Sequence, residues 1–89
     1  MMTVTLKRDE ISYSPAVDML YIVPDGGSIE VASEIEDLWD KGISVYRSSP
    51  NGGIGGIEIY DFKSTYGEPP MVIDVPAREP FKIEIPFAI

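Results

Sequence analysis

The chain has no cysteine and no histidine. Without cysteine it can form neither a disulfide nor a thiolate metal site, and the redox compartment is left open. Without histidine it lacks the commonest general base, the commonest zinc ligand and the usual switch near neutral pH. Nucleophilic triads in their usual form are excluded with it. Basic side chains are scarce too: seven lysines and arginines stand against fifteen aspartates and glutamates, for a net charge of −8. No stretch approaches the roughly 18 continuous apolar residues of a membrane helix. The start, from Met1 to Glu10, carries no apolar run of signal-peptide length. A soluble, cytoplasmic protein is expected.

What is present fits one domain spanning residues 1–89, with no room for a second core. The hydrophobic content of 44% is ordinary for a globular protein and argues against disorder. Charge is spread unevenly. Residues 9–40 carry nine acidic side chains and no basic one, whereas residues 41–89 carry six acidic and five basic. A field of that sign repels nucleic-acid phosphates and anionic membranes, and it favours a basic protein or a cation. Neither nucleic acid nor membrane is expected as a partner.

Period-two alternation dominates, and no segment has a 3.6-residue stripe. Ile11 and Tyr13 open a strand that stops at Ser14-Pro15, and Ala16-Val17-Asp18 turns into the apolar run 19–23. That run reads as a strand covered on both faces. Asp18 is expected to cap its own turn by accepting from backbone N–H groups. Pro24-Asp25-Gly26-Gly27 is turn chemistry, and an acidic strand through Ile29, Val31 and Ile35 follows, leading into a loop; the alternative for residues 34–42 is a helical turn ended by Gly42. Residues 43–48 and 55–62 are the arms of a hairpin. Ile43, Val45, Ile57 and Ile59 share one face; Tyr46, Tyr60 and Phe62 share the other. Residues 63–70 are a connection, and 71–75 is a further strand. Pro76, Pro80 and Pro86 lack a backbone donor, which places the segments they flank at sheet edges.

The last strand sets Phe81, Ile83, Ile85, Phe87 and Ile89 on one face. Burying five such side chains stabilises by roughly 7–15 kcal/mol. Ordering the nine residues from Phe81 to Ile89 costs roughly 13 kcal/mol. The tail therefore holds only if it docks fully, into its own core or on a second subunit, and self-association through it is expected.

The stretch 48–57 holds four of the eight glycines. A phosphate cradle needs its glycines between a strand and a helix N-terminus. Here Ile57-Glu58-Ile59-Tyr60 follows, which is strand, the third glycine position is Glu58, and Glu58 and Asp61 would repel a phosphate. Pro50-Asn51-Gly52 is a hairpin turn instead, with Gly55 and Gly56 making room for a bulge or an aromatic neighbour. No cofactor is expected. Metal binding would have to use oxygen ligands, and the cluster Glu34, Glu36, Asp37 and Asp40 lacks the residue order of a calcium loop, so it reads as a solvated face. No carboxylate pair is marked by spacing for glycoside hydrolysis.

Three stretches, 13–22, 40–45 and 55–61, together resemble a small prokaryotic domain of unknown function, the family numbered 2283. Tyr13, Pro15, Asp18, Leu20, Tyr21, Gly42, Gly52, Gly56, Ile57 and Glu58 carry the resemblance, over residues 11–62. Ser14 stands where that family has Asp, the hairpin turn is not acidic, and residues 63–89 extend past the usual domain. The resemblance implies a small β-sheet fold and no established activity, so it gives no catalytic residues to carry over. Family members are often encoded beside a small basic toxin-like protein, which implies an antitoxin or partner-protein role.

The fold expected is all-β, a mainly antiparallel sheet or sandwich of six to seven short strands built around hairpins, assembled as a homo-oligomer. The function expected is that of a non-enzymatic interaction module, an acidic partner of a small basic protein. Its candidate contact residues are Glu34, Glu36, Asp37, Trp39, Asp40 and Tyr46. The alternative is a small-ligand or cation-binding homo-oligomer with sites at subunit junctions.

Overall fold

The computed structural model describes residues 2–24, 32–48 and 53–89. Eight strands form two sheets among them: β1 Met2–Thr5, β2 Ile11–Ser14, β3 Met19–Ile22, β4 Ala32–Leu38, β5 Ile43–Ser48, β6 Gly53–Tyr60, β7 Met71–Val75 and β8 Phe81–Ile85. One short helix, α1 Phe62–Tyr66, follows β6. The smaller sheet has the order β1-β8-β7 and the larger the order β2-β3-β6-β5-β4. All pairs are antiparallel except β1 with β8. The fold is all-β, with more strands than the six to seven that alternation alone suggests.

Alternation decides which side chains meet between the sheets. Leu20, Ile22, Ile43, Val45, Ile57 and Ile59 of the larger sheet are buried with Ile73, Val75, Phe81, Ile83 and Ile85 of the smaller. Each such burial stabilises by about 1.5–3 kcal/mol. In β3 only Leu20 and Ile22 are buried, while Met19 and Tyr21 stay half-exposed on the other side. The strand is covered on one face, not two.

The apolar tail is satisfied within its own chain. Phe81, Ile83 and Ile85 are buried in β8, which is the central strand of its sheet, and Phe87 and Ile89 pack against the same core. No long apolar edge is left there, so the ground for expecting self-association through this strand falls away. Pro80 and Pro86 sit just outside β8 and cost its ladder no donor, which is how a proline-flanked segment lies at a sheet centre and not at an edge.

Phe62 also differs from expectation. Strand β6 ends at Tyr60, and Asp61 adopts the left-handed region at φ 51°. That turn swings Phe62 away from the tyrosine face and into the core, where it is fully buried and starts α1. The helix N-terminus is capped from a distance. The Asp18 carboxylate accepts from the backbone N–H of Lys63 at 2.9 Å and of Ser64 at 3.1 Å, and from the Ser64 hydroxyl at 2.6 Å. Tyr13 donates to the same carboxylate at 2.7 Å. Asp18 therefore caps α1 rather than its own turn. Its position at φ 51° aims it across the fold.

Candidate functional site

The two outward faces differ in chemistry. On the smaller sheet the outward positions are Thr3, Thr5, Val72, Asp74, Lys82 and Glu84, with charges of both signs and a Lys82–Asp74 ion pair at 3.9 Å. That is a solvated surface. The larger sheet is otherwise. Register sets Asp37, Ser44, Glu58, Tyr21 and Ser12 in one row across it, and Ile35, Tyr46 and Gly56 in the next. Tyr60 and Met19 form a third row. No lysine or arginine stands on this face among the described residues.

Several of these side chains are tied to one another. Tyr46 donates its hydroxyl to Glu58 on the neighbouring strand. The hydrogen bond to the Glu58 carboxylate, with burial adding to it, raises the Tyr46 pKa above that of an ordinary tyrosine. Tyr46 stands opposite Gly56, and the shift of pairing from Tyr46–Gly56 to Arg47–Ile54 makes Gly55 the extra residue of a bulge. The expected room for a bulge and a neighbouring aromatic is realised there. The turn residues Pro50, Asn51 and Gly52 lie outside the described residues; strands flank them on both sides, and no helix follows. Ser44 donates to Asp37 at 2.6 Å and is buried beneath its neighbours.

At one end of the face β4 passes into a single 3-10 turn, Trp39–Lys41, closed by Gly42 at φ 67°. Gly42 accepts from the Tyr60 N–H at 2.7 Å. A Cβ at Gly42 would lie 3.1 Å from the Tyr60 carbonyl oxygen, so both conformation and space favour glycine here. This corner frames a cleft of about 290 Å³. Asp37, Leu38, Trp39, Ile43, Tyr60 and Asp61 are among its lining residues, with Ile43 itself buried in the core. Trp39 is 89% exposed, Ile35 56% and Tyr60 42%.

The six residues read from the sequence as one contact patch divide in two. Asp37 and Tyr46 lie on the outward face, and Trp39 and Asp40 lie on the adjoining turn. Glu34 and Glu36 point to the other side of β4, an edge strand. There Glu34 pairs with Arg78, while Glu36 takes the Arg78 backbone N–H at 2.6 Å and the Arg47 guanidinium at 3.4 Å. These two glutamates fasten the 76–80 connection to β4, and inward charge of this kind also guards an edge strand against pairing with another chain. The reading of 34, 36, 37 and 40 as one solvated face is corrected: adjacent odd and even positions of a strand cannot share a face.

Sequence reasoning missed Ile35 and Asp61 as members of the face and its cleft. Asp61 joins because its left-handed backbone returns it beside Gly42, a signal no period-two pattern carries. Among the described residues no group of three or more acidic side chains stands where it could hold a metal ion, and no helix is long and apolar enough to cross a membrane. No family model, no curated protein and no solved structure matches this chain.

Proposed function

We propose that this chain is a non-enzymatic interaction module that binds a basic protein on the outward face of its larger sheet, in the manner of an antitoxin and its small basic partner. One observation carries the reading: a sheet face with exposed Ile35 and Tyr60 carries Asp37 and Glu58 and no basic side chain among its described strand residues, and the exposed Trp39 stands on the adjoining turn with Asp40 and Lys41, beside Asp61. Aromatic anchors beside unopposed charge are what a complementary partner needs, the rings for affinity and the carboxylates for orientation and rate. The implied resemblance of residues 11–62 to a family often encoded beside a basic protein points the same way. A second copy of the chain is a poor occupant of this face, because two such surfaces would set carboxylate against carboxylate.

The test is capture from native lysate at low and at high salt, with bound proteins identified by mass and rebound as purified species. A basic protein held at low salt and shed at high salt is the expected result. A partner that is itself acidic, or retention indifferent to salt, would contradict the reading.

A further inference from the structure

We infer that the cleft between the Trp39 turn and the end of β6 receives one basic side chain of the partner, an arginine in preference to a lysine; this rests on the proposed function and specifies where that partner is anchored. Four features converge. Leu38, half-buried at the cleft, offers apolar surface suited to an aliphatic stem. Trp39 and Tyr60 border the cleft, and aromatic rings attract a cation, tryptophan most strongly. Asp37 and Asp61 place two carboxylates on the cleft, and among the described residues no lysine or arginine pairs with either. At about 290 Å³ the cleft is at the small end for a ligand site, the scale of a side chain rather than a cofactor.

The chemistry selects the occupant. A bare metal ion would ask for more oxygen ligands than are grouped here. An apolar side chain would leave the carboxylates desolvated without a partner. A long aliphatic stem with a cationic head satisfies both parts of the lining. A guanidinium does so best, since its planar fork can stack on an indole while donating to carboxylates. The corner is preformed: Ser44 orients the Asp37 carboxylate at 2.6 Å, and the Gly42–Tyr60 hydrogen bond at 2.7 Å joins the two walls.

Trp39 is the sole tryptophan, so its indole resonance and its fluorescence report on this site alone. The experiment titrates the whole chain with N-acetyl-arginine amide, with N-acetyl-lysine amide, and with the uncharged isostere N-acetyl-citrulline amide. The expected result is a saturable shift of the Trp39 indole N–H with a Kd of about 1 mM for the arginine probe, weaker for lysine and absent for citrulline. Asp37→Asn and Asp61→Asn should each weaken the arginine probe about tenfold. Asparagine preserves shape and accepts the left-handed backbone at position 61. An equal response to citrulline would overturn the inference without any variant. No response to the probes, with an arginine-rich peptide still shifting Ile35 and Tyr46, would overturn the cleft and leave the face standing. Silence toward both would overturn the cleft and the proposed function together.

Discussion

Asp18 accepts four hydrogen bonds from three residues, Tyr13, Lys63 and Ser64, and so joins the β2–β3 turn to α1. The Ser64 hydroxyl, then the Tyr13 hydroxyl and the Lys63 N–H, hold its carboxyl well below its ordinary value of 3.8, while the bond to Asp18 pushes the Tyr13 hydroxyl up to about 12. A depressed carboxylate pKa contributes stability that is complete above pH about 4 and is lost as pH falls below it. Asp18→Asn should therefore lower the melting temperature at pH 7, with the gap from wild type narrowing between pH 4 and 2. A gap that stays constant over that range would contradict the assignment. Asparagine tolerates the positive φ of this position, so backbone strain is not the variable. The same scale separates the two glutamates of β4. Glu36 meets the buried Arg47, and removing it as Glu36→Ala should cost about 2–3 kcal/mol in denaturant unfolding. Glu34 meets Arg78 in the open, and Glu34→Ala should cost under about 1 kcal/mol. Equal costs would contradict the buried pairing of Glu36 with Arg47.

Among the elements, those whose partners are near in sequence were legible. The β2–β3 and β5–β6 hairpins, β7 and the Ile35 part of β4 follow from period-two alternation and turn residues, while Ile29 and Val31 of the expected acidic strand and residues 25–27 of the turn before it lie outside the described residues. Strand β1 was not, because it pairs with β8 at the far end of the chain and its four residues alternate too briefly to stand out. Helix α1 spans five residues, too few for a helical period, and its cap comes from Asp18 rather than from its own flank. The candidate site was half legible. Charge and aromatics pointed to Asp37, Trp39, Asp40 and Tyr46, but the faces of Glu34 and Glu36 follow from strand register, and the place of Asp61 from one left-handed residue. The extension after Phe62 supplies six of the fourteen buried core residues among those described: Ile73, Val75, Ala77, Phe81, Ile83 and Ile85. Ile83→Ala, at the centre of the smaller sheet, should cost about 2–5 kcal/mol by denaturant unfolding. Removing residues 80–89 should leave a chain without the sharp near-ultraviolet signature of packed aromatics. A truncated chain that still unfolds cooperatively would contradict the shared core.

At the scale of the whole molecule, asymmetry between the two outward faces is the central feature. The smaller sheet presents mixed charge, and the larger presents aromatics with carboxylates. With the apolar tail docked internally and the carboxylate-bearing face unsuited to itself, sedimentation should give the mass of one chain, 9.8 kDa, in the absence of a partner. A stable dimer would mean that another surface is used for assembly. Binding to the partner should weaken steeply with salt, since rim carboxylates act over a screening length of about 10 Å at 0.1 M.

The most direct measurement compares capture of the basic partner by wild type, by Trp39→Ala combined with Asp37→Lys, and by Asp74→Lys on the opposite sheet. The last changes net charge as much as Asp37→Lys does, but on the surface assigned no role. The account predicts that the first pair of substitutions weakens binding by about 2 kcal/mol or more, roughly thirtyfold, with the fold retained. Asp74→Lys should bind nearly as wild type does. Equal loss from both faces would reduce the interaction to net charge, and undiminished binding by the Trp39/Asp37 variant would place the partner elsewhere.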